Sequence, residues 1–196
     1  MRLAAEYGGA AVKREEQRAR TRRSIRMAFV ELLREQKLEQ ITVTELAARA
    51  DIDRKTFYIY YNTVNDLIRE IEGEIVDGLK VILDDRKDSD WKVFLQGLNK
   101  LMQKDIDFYS VLVRNTDLAF IVADCTGILE EMLYKTILSG REHTSVRDEI
   151  IIRYTASGIL GVYSDWLKSD KKIPLEELIE VLGDAMNNTL VKCMNS

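Results

Sequence analysis

Pro174 is the only proline in 196 residues, and no stretch alternates apolar and polar side chains over the length of a strand. Proline breaks helices, and two-residue alternation marks a half-buried strand. A chain with so little of either is expected to be all-α. Apolar residues at three- and four-residue steps, divided by polar breaks, place helices at about 18–36, 63–84, 89–103, 105–114, 117–139, 145–169 and 174–194. The breaks are DDRKDSD (84–90), Asp105 and Asp117 as caps, SGREHTS (139–145) and SDKKIP (169–174), and no internal repeat is visible.

Two further short helices fall in TVTELAARADIDRKTFYIYYNTVNDL, residues 42–67. Thr42 with Glu45 forms a capping box for a helix carrying Leu46 and Ala47. Ala50-Asp51-Ile52-Asp53 ends it, with Asp51 where the turn wants a left-handed backbone, which Asp tolerates better than most residues. Asp53 caps the next helix, about Arg54 to Asn62, and Thr63 with Asp66 starts a longer one. A helix, a tight turn and a second helix led by cations is the layout of a helix-turn-helix DNA reader, although such a pair also occurs as plain packing.

Phe57 and Tyr61, four residues apart, are expected in the core, which leaves the Tyr58 hydroxyl free. Arg54, Lys55, Thr56 and Ile59 are the candidates for base contacts, and Tyr58 and Tyr60 for contacts to phosphate, with core packing the competing reading for Tyr60. Thr42 and Thr44, at the start of the preceding helix, complete the candidate surface. Upstream, Arg18, Arg20, Arg22, Arg23 and Arg26 precede Ile25, Phe29, Leu32 and Leu33, so a helix of about 18–36 is expected to pack on the two short ones. The arginines at its start would then lie near phosphates, where counterion release makes contacts strongly salt-dependent, and Arg22 and Arg23 are the candidates for such contacts. An arginine run is otherwise a solvated face.

The charge divides along the chain: residues 1–62 carry 13 Lys and Arg against 9 Asp and Glu, and residues 63–196 carry 16 against 24. A net charge of −4 therefore hides a basic head on an acidic body, and an acidic whole does not exclude DNA binding. Residues 1–17 show no apolar core of a secretory signal, and Gly8-Gly9 reads as part of a flexible arm. With 46% hydrophobic and 32% charged residues and no apolar run of spanning length, a soluble cytoplasmic protein without membrane contact is expected. Cys125 and Cys193 lie far apart without partner spacing, so neither a disulfide framework nor a metal site is expected. The single histidine, His143, lies in a polar loop, and no phosphate-cradling glycine loop is present, so no catalytic residues, no cofactor and no enzyme activity are expected.

From about Arg20 to Leu67 the chain resembles the N-terminal domain of the TetR family of one-component regulators. The amphipathic first helix, TVTELAARA, the aromatic series TFYIYY and the Asp-Leu pair opening the fourth helix carry the resemblance. Two departures are Asp51 in place of the usual turn glycine and Val64 where many members have a lysine that touches phosphate, so no phosphate contact is assigned to Val64. The resemblance implies a three-helix DNA-binding head over 18–62 and a body of about six helices over 63–196 that senses a ligand and dimerises, after an arm over 1–17. It implies a homodimer on double-stranded operator DNA, commonly a repressor. More loosely, FYSVLVRN (108–115) and GILGVYSDWL (158–167) resemble a Gram-positive subgroup of the family, which implies that the signal can come from a partner protein.

Two glycines inside helix 145–169, each costing roughly 1 kcal/mol relative to alanine, point to close helix approach. Tyr154, Gly158, Gly161 and Val162, with Leu178, Leu182, Ala185 and Thr189 of the last helix, are the expected dimer interface, ordinary intrachain packing being the alternative. Phe94, Tyr109, Cys125 and Leu129 are the candidates for an adaptable effector pocket, again against simple core packing. The effector is expected to release DNA by changing the spacing of the two heads through the helix that joins head and body. Control by a protein partner, and an architectural DNA binder without effector, are the alternatives.

Overall fold

A computed structural model describes residues 2–84, 91–137, 145–171 and 173–194, with side chains over 12–82, 93–135, 145–171 and 173–189. The described residues contain nine α-helices and two single 3₁₀ turns, joined by short loops, and no strand. The helices are α1 (Arg2–Glu35), α2 (Val43–Arg49), α3 (Arg54–Tyr60), α4 (Val64–Asp84), α5 (Trp91–Gln103), α6 (Ile106–Arg114), α7 (Ala119–Ile137), α8 (Val146–Lys168) and α9 (Leu175–Met194). Most ends fall within two residues of the expected ones. The 3₁₀ turns, Leu38–Gln40 and Thr116–Leu118, carry no signal in the sequence pattern. His143, most of the breaks at 84–90 and 139–145, and the Cys193 side chain lie outside the described residues.

The largest departure from expectation is the start of α1. It begins at Arg2, inside the stretch read as an arm, and carries Gly8 and Gly9 within the helix. The segment is otherwise rich in Ala, Glu, Lys and Arg, whose helix propensities outweigh two glycines.

The chain divides into two compact units, residues 1–71 and 72–196, and the division falls within α4. In the first unit, Ile25, Phe29 and Leu32 of α1 are buried with Leu46 and Ala47 of α2, Phe57 and Tyr61, and Leu67, Ile68 and Ile71 of α4. Arg49 of α2 reaches both oxygens of Glu35 on α1, at 2.8 and 2.7 Å, and Glu31 at 3.4 Å. The Glu35 carboxyl is held below its usual range chiefly by that hydrogen bond.

The second unit is a helical body in which α7 packs on α8, α5 on α9, α6 on α8, and α8 on α9. Its core includes Phe94, Leu98, Phe108, Leu112, Leu129, Leu133, Ile152, Ile159, Tyr163 and Ile179. Close approach is enforced at Gly97 of α5, where an added Cβ would stand 2.5 Å from Cγ2 of Ile82 on α4. Gly158 and Gly161 of α8, the two expected to permit such an approach, have no neighbour of this chain within 4 Å of an added Cβ. No helix among the described residues is long and apolar enough to cross a membrane.

Candidate nucleic-acid interface

Four backbone features build the helix-turn-helix from its sequence. The Thr42 hydroxyl accepts from the Glu45 N–H at 3.2 Å, while Glu45 Oε2 accepts from the Thr42 N–H at 2.9 Å and from its hydroxyl at 2.8 Å. These bonds satisfy the orphan donors at the start of α2 and hold the Glu45 carboxyl below its usual range, the Thr42 hydroxyl contributing most.

At the other end of α2, the Ile52 N–H donates to Ala47 O at 3.0 Å and the Asp51 N–H to Ala48 O at 3.3 Å. This is a Schellman closure, and Asp51 takes φ = 54°, the left-handed conformation expected of it. Asp53 then caps α3: Oδ1 accepts from the Thr56 N–H at 2.7 Å and Oδ2 from the Thr56 hydroxyl at 3.1 Å. The Asp53 carboxyl is lowered, first by the backbone bond and then by the hydroxyl. Thr63 and Asp66 repeat the pattern at α4, with Asp66 Oδ2 accepting from the N–H groups of Asn62 and Thr63 at 2.9 Å each.

This scaffold orients α3. Phe57 is fully buried and Tyr61 is 3% exposed, with ring centroids 5.6 Å apart. The opposite side presents Arg54 and Lys55, both exposed, Tyr58 at 46% and Ile59 at 72%. Thr56 is half-buried, and its hydroxyl proton is committed to Asp53, as that of Thr42 is to Glu45. Both threonines therefore act first as cap elements. Thr44 and Arg23 are exposed.

Tyr60 is half-buried, and the Arg22 guanidinium lies over its ring, 6.0 Å from the centroid. Arg22 also stands 3.9 Å from Glu70 Oε2, while Glu70 Oε1 accepts from the Tyr61 hydroxyl at 2.7 Å. Glu70 thus ties the end of α3 to both α1 and α4. Sequence pattern does not single it out, because its partners lie nine and forty-eight residues away.

In the second unit, Phe94 and Leu129 are fully buried, and Tyr109 and Cys125 are each 8% exposed. Burial pushes the Cys125 thiol up to about 11, with smaller contributions from Asp124 and Glu72. The Ser110 hydroxyl on α6 and the Tyr163 hydroxyl on α8 are buried without a hydrogen-bond partner among the described residues, and desolvation raises the Tyr163 pKa. An open groove of about 520 Å³ lies elsewhere, at the α8–α9 corner, lined by Val162, Asp165, Trp166, Ser169, Asp170, Ile173 and Leu178. There the Trp166 indole N–H donates to Ile173 O at 2.9 Å.

Of the residues expected at an interface between copies, Tyr154 is 70% and Val162 40% exposed, and Gly158, Gly161 and Ala185 are exposed. Leu178 and Leu182 turn inward, at 6% and 9%. The half-buried Thr189 donates its hydroxyl to Ala185 O at 2.8 Å. Val146 (72%), Ile150 (64%) and, on α9, Val181 (63%) are exposed apolar residues that the sequence reading omits.

A TetR-type family model described as "Transcriptional regulator C-terminal region" matches residues 89–188. No curated protein matches the chain. Among solved structures, the chain is similar to a TetR transcriptional regulator from Streptococcus agalactiae 2603V, at 20% identity over 89% of this chain and 98% of that one, with a TM-score of 0.62. A second is the dihydroxyacetone kinase operon activator DhaS, at 21% identity over 87% and 96%, with a TM-score of 0.60. A third is the regulator FadR from Bacillus subtilis in complex with stearoyl-CoA, at 18% identity over 83% and 96%, with a TM-score of 0.60.

Proposed function

The chain belongs to the TetR family of transcriptional regulators, and from that premise we propose that it reads operator DNA as a cytoplasmic homodimer and is governed by an effector bound in its C-terminal unit. The observation that carries the DNA reading is the exposed first turn of α3. Arg54 and Lys55 face outward from a helix whose N-terminus Asp53 fixes and whose other side Phe57 and Tyr61 bury. Held this way, the two cations and Ile59 enter a major groove and read base edges, while Tyr58, Tyr60, Arg22 and Arg23 engage phosphates.

Dimerisation is supported by the free side of α8, where Val146, Ile150, Tyr154, Gly158, Gly161 and Val162 recur at three- and four-residue steps without intrachain cover. Val181 and Ala185 of α9, which packs on α8, are exposed as well and would join them in a two-fold interface. Two heads are required because both α3 helices must enter successive major grooves together, and their spacing sets affinity.

The effector reading rests on Ser110 and Tyr163, whose buried hydroxyls offer polar anchors within the apolar body formed with Phe94, Tyr109, Cys125 and Leu129. A ligand favouring one position of α4, which belongs to both units, shifts the population of head spacings and releases the operator. The similar FadR structure is a complex with stearoyl-CoA, and DhaS is an operon activator, so both ligand binding and activation occur within this fold. Control by a protein partner is the second reading, favoured by Phe120 and Tyr134, which are 42% and 36% exposed on α7.

The test uses duplexes selected by the full chain from a random-sequence pool. Arg54→Ala and Lys55→Ala each relax preference at particular base pairs, by about 1–3 kcal/mol at each, whereas Tyr58→Phe weakens all sequences alike. Unchanged binding in all three variants contradicts the assignment.

A further inference from the structure

α1 carries arginines at strict four-residue steps: Arg14, Arg18, Arg22 and Arg26. Each step turns the helix by roughly 40° beyond a full circle and advances it roughly 6 Å, so the four side chains form one slowly winding stripe. Its third rung is Arg22, already at the candidate interface through the Tyr60 ring. One and two turns upstream, Arg18 and Arg14 continue the stripe to and beyond the expected helix start at residue 18, and both are exposed.

We propose that this N-terminal extension of α1 is a second DNA-binding element, in which Arg14 and Arg18 engage phosphates flanking the half-site read by α3. The inference rests on the DNA-binding reading above. Three observations select duplex DNA as the occupant. Between Val12 and Arg26 the chain has seven Lys and Arg against two Glu, a balance that suits a polyanion. The stripe is continuous with Arg22, which stands at the end of the helix that presents the base-contacting side chains. Finally, a step of roughly 6 Å spans about two nucleotides of one strand at about 3.4 Å each, so neighbouring rungs can meet nearby phosphates.

The acidic partners present do not hold these arginines away from DNA. Glu15 lies 3.8 Å from Arg18 with both side chains more than half exposed, and Glu70 lies 3.9 Å from Arg22. The exposed Arg18–Glu15 pair is weak and yields to phosphate, and the half-buried Glu70, at 3.9 Å, leaves further donors of the Arg22 guanidinium for phosphate. A rigid helix also presents its cations without the ordering cost that a disordered basic tail meets on binding.

The test compares the unaltered protein, an Arg14→Gln/Arg18→Gln variant, and a charge-matched Lys13→Gln/Arg20→Gln variant on a duplex selected from a random-sequence pool. Lys13 and Arg20 sit roughly 160–180° around the helix from Arg22, off the stripe. Glutamine keeps the helix propensity, which circular dichroism verifies. The expected result is that the stripe variant retains the protected half-sites but loses hydroxyl-radical protection at their outer edges. Its slope of log affinity against log salt also shrinks by roughly 0.9 for each phosphate no longer engaged. The charge-matched variant keeps the outer protection. An unchanged footprint and slope in the stripe variant, or equal losses in both variants, overturns the inference and leaves the proposed function standing. No protection by the unaltered protein overturns both.

Discussion

The hydroxyl of Tyr61, one residue past the end of α3, donates to Glu70 on α4 at 2.7 Å. The same carboxylate meets Arg22 of α1 at 3.9 Å through its other oxygen, so one group on α4 ties the end of α3 to α1 in the first unit. Tyr61→Phe keeps the buried ring and removes the bond. Loss of a partly buried hydrogen bond to a charged group costs about 1.5–3 kcal/mol, read as a lower urea midpoint with an unchanged m-value. Affinity for DNA is expected to fall with it, because α3 is held less firmly while the side chains proposed to face DNA are intact.

The cap of α3 makes the head sensitive to acid. The Asp53 carboxyl is lowered by the Thr56 N–H and hydroxyl, so its folded value lies below its unfolded one, near 3.8. A depressed carboxylate contributes stability that is complete above the unfolded value and is lost as pH falls through the folded value. Asp53→Asn keeps a capping side chain but removes the charge. Thermal unfolding at a series of pH values should show the variant less stable than the parent at pH 7, with the gap closing below about pH 4. A gap independent of pH contradicts this cause.

Two glycines test packing in opposite senses. Gly97→Ala drives a Cβ to 2.5 Å from the Ile82 side chain and lowers stability by about 1–3 kcal/mol, and Ile82→Ala in the same chain relieves the clash. Gly158→Ala meets nothing in its own chain and raises helix stability by up to about 1 kcal/mol. Gly158→Glu places charge on the apolar side of α8, and sedimentation should show monomers of unchanged helicity.

Cys125 is 8% exposed, and burial pushes its thiol up to about 11. In a Cys193→Ser background, a colourless disulfide reagent at pH 8 should label the folded chain far more slowly than the urea-unfolded one, because only the thiolate reacts. Fast labelling of the folded chain would show that Cys125 lies open to solvent.

The local parts of this structure are readable from the residues themselves. Thr42-Glu45, Asp53 and Thr63-Asp66 announce three helix starts, because a cap and its partner are three residues apart and need no tertiary context. Asp51 announces the turn for the same reason. What escapes a sequence reading are relationships across the fold. Glu70 and the Arg49–Glu35 pair join helices distant in sequence, and the glycine that admits a neighbour is Gly97 rather than Gly158 or Gly161. Leu178 and Leu182 share the apolar spacing of an interface residue, and only burial separates an inward Leu from an outward Val181. At the N-terminus, Gly8-Gly9 suggests an arm although the helix formers around it prevail, and the arginine stripe becomes visible only once that segment is helical.

In the proposed assembly a dimer of this chain holds DNA through the cations around α3. The most direct measure of this is the affinity of the full protein for a selected duplex across rising salt, with stoichiometry determined in the same titration. Two protomers per site are expected, with a log affinity that falls linearly with log salt at a slope near −0.9 for each phosphate engaged. A monomer on the duplex, or an affinity indifferent to salt, would contradict it.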